Sequence, residues 1–72
     1  MIDLDYIDKD YLYKFRKSLG VSQPKLAEIF NLGDHTIQRY ESGETDLNPS
    51  FKMVLYLIAK EPKLLDLIYE RK

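Results

Sequence analysis

Residues 16–43 read RKSLGVSQPKLAEIFNLGDHTIQRYESG, and their punctuation marks the end of one helix and the whole of two more. Leu19-Gly20 closes the first, because glycine takes the left-handed conformation that ends a helix. Ser22 can accept from the free amides of the next first turn. Pro24 is tolerated there, where amides have no intrahelical partner. Leu26, Ala27 and Phe30 make an apolar stripe at helical spacing. Asn31 follows, the best left-handed residue after glycine. A third helix is expected to start after Gly33 and run to about Ser42, with Asp34 at its positive end. Ile37 and Tyr40 form its inward pair, and Gly43 stops it.

Working outward, Asp8 or Asp10 can cap the first helix, whose stripe is Tyr11, Leu12, Phe15 and Leu19. Downstream, Asn48-Pro49 is a cap-then-proline start for SFKMVLYLIAK, and Pro62 opens a last short helix, KLLDLIYER. The chain is thus expected to be all-α with five helices. Residues 1–10 form an acidic N-terminal segment ahead of a domain at 11–72. Within that segment Ile2, Leu4 and Tyr6 alternate with Asp3 and Asp5, which reads equally as a short extended strand or as a disordered tail.

The chain has 72 residues, enough for one small domain whose own core confers only marginal stability. With no cysteine and a single histidine, disulfides, thiolate zinc sites and histidine-rich metal sites are excluded. No apolar run reaches the ~20 residues of a membrane helix, and MIDLDYIDKD is acidic where a signal peptide is basic. A cytoplasmic protein with no membrane partner is expected. Net charge is −1, but it is unevenly spread. Residues 1–10 carry four aspartates against Lys9, residues 11–43 are net positive, and the remainder balances. Local charge counts for more than the total toward an anionic partner. No cysteine nucleophile, supported Ser-His-Asp spacing or glycine-rich phosphate loop is present, so neither an enzyme nor a cofactor is expected.

Two short helices joined by a tight corner, with Ala27 where they cross, make the helix-turn-helix pattern, whose second helix enters the DNA major groove. Arg16, Leu19-Gly20, Ser22-Gln23, Leu26-Ala27 and the run from Ile37 through Glu41 to Gly43 resemble the Cro/repressor-type (XRE-like) helix-turn-helix family. RYESG and the downstream LYLIAKEPKLLDLI narrow the resemblance to the C-terminal DNA-binding domain of MqsA-type antitoxins, over residues 11–69. This implies a lambda-repressor-like fold binding double-stranded DNA as a transcription regulator and repressor. It implies further an autoregulated toxin–antitoxin operon and an N-terminal zinc domain with paired cysteines. This chain has no cysteine, so it is either a stand-alone domain or part of a longer protein. A second departure is the loop after the third helix, acidic at Glu44 and Asp46 where many repressors carry phosphate-binding lysines.

On the resemblance, the third helix presents Asp34, His35, Thr36, Gln38 and Arg39 to DNA. Arg39 can pair bidentately with guanine and Asp34 can accept from cytosine, while His35 and Gln38 can reach base edges or phosphate. Gln23 matches the family's phosphate-contacting glutamine, at a helix start suited to anions. Lys17 and Lys25 are further phosphate candidates on what is expected to be one face. Arg16 and Glu41 match a structural bridge of the family rather than a DNA contact.

From Phe51 to Tyr69, 13 of 19 residues are apolar, more than one helix face buries in so small a core. The surplus points to a homodimer through the C-terminal helices, on a palindromic operator with half-sites ~34–36 Å apart. The alternative is a protein-interaction module that takes a toxin or an upstream domain on those helices. Salt dependence separates the two, because phosphate contacts make affinity fall steeply with salt.

Overall fold

The computed structural model describes residues 2–69. Five helices follow one another: α1 (Lys9–Leu19), α2 (Gln23–Ile29), α3 (Thr36–Ser42), α4 (Pro49–Lys60) and α5 (Lys63–Ile68). There is no strand among the described residues. The expected continuation of the last helix through Glu70 and Arg71 lies outside them. Helix α3 packs on both α1 and α2, and α5 packs on α4.

The caps fall where side-chain chemistry puts them. Asp8 accepts from the Tyr11 amide at 3.0 Å, Ser22 from Lys25 at 3.2 Å and Asn48 from Ser50 at 2.8 Å. Asn31 sits at φ 57°, the left-handed turn expected between α2 and α3. Helix α3 starts later than the sequence suggests. His35 occupies its N-cap position with no side-chain bond, and the Thr36 amide closes a turn onto the Gly33 carbonyl at 3.0 Å. Asp34 and His35 therefore belong to the turn, because no residue there caps an earlier start.

Ile7, Leu12, Leu26, Ala27, Ile37, Tyr40, Leu47, Phe51 and Leu55 form the buried core. Two aromatic contacts tie α4 into it, and a third joins the end of α2 to α1. Tyr40 stacks on Phe51 (5.6 Å), Phe51 meets Phe30 edge-on (5.3 Å), and Phe30 reaches Phe15 (6.3 Å). Such pairs add about 0.5–1.5 kcal/mol each beyond area burial. Phe30 is only half-buried, because it caps α2 instead of lying inside it.

The N-terminal segment uses its alternating face only at Leu4, which is half-buried against the core. Ile2 and Tyr6 are exposed, while Ile7 is fully buried. A turn that bonds the Ile7 amide to the Leu4 carbonyl (3.0 Å) swings Ile7 inward. Ile7 and Leu12 occupy the positions flanking the Asp8 cap that form a hydrophobic staple, and both are wholly buried in one core.

Candidate nucleic-acid interface

Helix α3 divides its residues cleanly. Ile37 and Tyr40 are buried, Thr36 is half-buried, and Gln38 and Arg39 face solvent beside the exposed turn residues Asp34 and His35. Of the five residues expected on the recognition face, four are exposed and Thr36 is half-buried, and two precede the helix rather than lie in it. Arg39 is not a free cation: its Nε lies 3.3 Å from Oε2 of Glu44, and the two side chains are 61% and 67% exposed.

An inner ion pair fixes this helix. Arg16 Nε and Nη2 donate to Glu41 at 2.7 and 3.0 Å, and Nη1 donates to the Val21 carbonyl at 3.0 Å. The pair is only 12% and 7% exposed. The hydrogen bond to Glu41 raises the Arg16 pKa above its ordinary value, against the opposing effect of burial. One bidentate bridge thus joins α1, the loop before α2 and the end of α3, which is structural chemistry.

Gln23 belongs to the same network. Its Nε2 donates to Glu41 Oε1 at 3.1 Å. A side-chain amide has two donor hydrogens, so this bond holds Gln23 in place with one hydrogen left for an anion. An open groove beside it is lined by Lys9, Asp10, Tyr13, Gln23, Gln38, Glu41 and Ser42, so one lysine there stands against two carboxylates. Lys17 lies over the Tyr13 ring at 5.9 Å. Lys25 instead pairs with Glu28 at 3.4 Å and lies over the Tyr69 ring at 5.8 Å. The two lysines share no neighbour among these contacts.

Two residues near the face have neighbours that the sequence reading does not supply. Tyr13 sits one turn before Arg16 on α1, with the guanidinium 5.5 Å from its ring, and that spacing is a signal the sequence contains. Glu44 stands out there only as a negative charge; its pairing with Arg39 depends on how the chain turns after Gly43. No cluster of three metal-ligating side chains occurs among the described residues, and no helix there is long and apolar enough to cross a membrane.

Short α2, a left-handed corner, and an α3 clamped from behind with polar side chains outward define a small all-α helix-turn-helix domain. The chain belongs to the MqsA antitoxin family: the profile described as the antitoxin component of bacterial toxin–antitoxin systems, MqsA, matches residues 1–69. It is 31% identical over 65 residues to antitoxin MqsA of Escherichia coli strain K12, covering 90% of this chain and 50% of that protein. The chain thus spans about half the length of this curated relative.

Proposed function

We propose that this domain binds double-stranded DNA in a sequence-specific manner and represses transcription of its own toxin–antitoxin operon. The observation that carries this reading is the division of α3. Arg39 and Gln38 are solvent-facing beside His35 and Asp34, while Ile37, Tyr40 and the Arg16–Glu41 bridge hold the helix rigid from behind. Base-reading side chains need such a platform, since a good bidentate contact discriminates by about 1–3 kcal/mol only when its geometry is held. Phosphate contacts are assigned to Gln23, Lys17 and Lys25, with Thr36 at the edge of the base-reading face.

Two copies on a two-fold operator complete the reading. Met53 and Leu57, one turn apart on α4, remain exposed with Leu67 and Ile68 of α5. Leu67 is 82% exposed. Helix α5 therefore covers α4 only in part, and a second copy is the assigned occupant. That same apolar surface supports the second reading, a module that takes a toxin or an upstream domain there.

Fluorescence anisotropy of the chain against duplex DNA from immediately upstream of its own gene, beside a scrambled duplex at two salt concentrations, tests the proposal. Tight, selective and salt-sensitive binding is the expected result. Equal affinity for both duplexes would remove autoregulation, and no binding to either would transfer the assignment to a protein partner.

A further inference from the structure

The contact between Arg39 and Glu44 has a built geometry behind it. Gly43 ends α3 in the left-handed conformation, at φ 83°. The chain then folds back on Arg39: the Thr45 amide donates to the Arg39 carbonyl at 3.3 Å, and Ser42 Oγ donates to that same carbonyl at 3.1 Å. Ser42 Oγ in turn accepts from the Glu44 amide at 3.3 Å. These bonds fix the backbone of Glu44 beside the arginine, and its carboxylate meets Arg39 at Nε.

Where on the guanidinium the carboxylate sits is what matters. The group offers five donors in a planar fork. The ion pair, with no hydrogen bond between the two side chains, places the acid nearest Nε on the side of the fork, and the Nη1/Nη2 end is the edge that can present two parallel donors to O6 and N7 of guanine. An exposed, unrestrained arginine must lose its side-chain freedom on docking. One already oriented by a neighbour has less to lose.

We propose that Glu44 is a positioning residue for base readout: it holds Arg39 by Nε so that the Nη1/Nη2 edge is aimed at a guanine, and its negative charge beside the docking face disfavours binding to unrelated DNA. The proposal rests on the reading that α3 faces the major groove. It gives the acidic loop a part in DNA recognition. A loop acid lowers overall affinity for a polyanion and raises the share of that affinity that depends on sequence.

Glu44→Gln, Arg39→Ala and the double variant of the full chain, titrated against a set of single-base-substituted upstream duplexes and a scrambled duplex, test it. The guanine read by Arg39 is the position where substitution costs the wild type affinity and costs Arg39→Ala none. Glu44→Gln is expected to bind scrambled DNA more tightly and to lose discrimination at that one position by about two- to fivefold, the scale of an exposed ion pair. Its thermal midpoint should not move, and in the Arg39→Ala background the substitution should leave discrimination untouched. If Glu44→Gln tightens binding to every duplex equally and keeps wild-type discrimination, Glu44 is merely a charge and the proposal is overturned while the DNA reading stands. The proposal is overturned in the same way if no guanine depends on Arg39. A wild-type chain that distinguishes none of the duplexes overturns both.

Discussion

Two arginines of this chain carry the same charge and have opposite fates. Arg16 is nine-tenths covered and bonded on three nitrogens, whereas Arg39 is mostly exposed with one carboxylate at its Nε. Removing the partner of the first leaves an uncompensated buried charge, at a cost of about 3–5 kcal/mol. Glu41→Ala should therefore lower the unfolding free energy by about that amount in urea titration, and lose DNA binding only as a consequence of unfolding. Arg39→Ala should do the reverse. Its melting curve should overlay the wild type, while affinity for the upstream duplex falls by about 1–3 kcal/mol and affinity for scrambled DNA changes far less. A parallel loss of stability and binding would sink the assigned role of Arg39. The sequence distinguishes the two arginines only through the family resemblance, because nothing in local spacing shows that Glu41 folds over Arg16, 25 residues away.

At the scale of elements, legibility tracks the range of the interaction. Helix ends set by one side chain and its neighbouring amides, at Asp8, Ser22, Asn48, Gly20 and Gly43, are written in the local sequence, and the structure has them. Helix α3 starts later than expected, at Thr36, with Asp34 outside its first turn and no side-chain bond at the His35 cap. The N-terminal segment departs for a different reason. Its period-two pattern favours Ile2, Leu4 and Tyr6, but the core has room for Ile7, which the Asp8 cap and the turn at Leu4 deliver to it. Ile7 is thus part of the domain core, ahead of the boundary expected at residue 10. Ile7→Ala should cost about 2–5 kcal/mol, as for other buried aliphatic truncations, whereas Ile2→Ala should stay within about 0.5 kcal/mol. Chemical denaturation of the two variants side by side checks this, and equal, small effects would show that the segment does not contribute to the core.

At the scale of the whole molecule, a chain this small fills its core with Phe51, Leu55, Ile58 and Leu65 from its last two helices and has apolar residues to spare. Met53, Leu57 and Ile68 are only partly covered in the monomer, and Leu67 is almost entirely exposed. Covering what remains exposed would contribute roughly 25 cal/mol per Å² of apolar surface. Covering by a second copy would also join two α3 faces, and the free energy of binding two half-sites then exceeds what one domain can supply. The dimer and the operator are in this way one prediction. Leu67→Asp, at an exposed site, should leave the thermal midpoint of a dilute sample nearly unchanged, yet shift the sedimentation coefficient to that of an 8.5 kDa monomer. Affinity for a two-half-site duplex should fall much further than affinity for a single half-site. If Leu67→Asp sediments as the wild type does, α5 is not at the interface. If the wild type is itself monomeric at every concentration and remains so on DNA, the surplus apolar surface belongs to a different protein, and a toxin or upstream domain becomes the occupant to pursue.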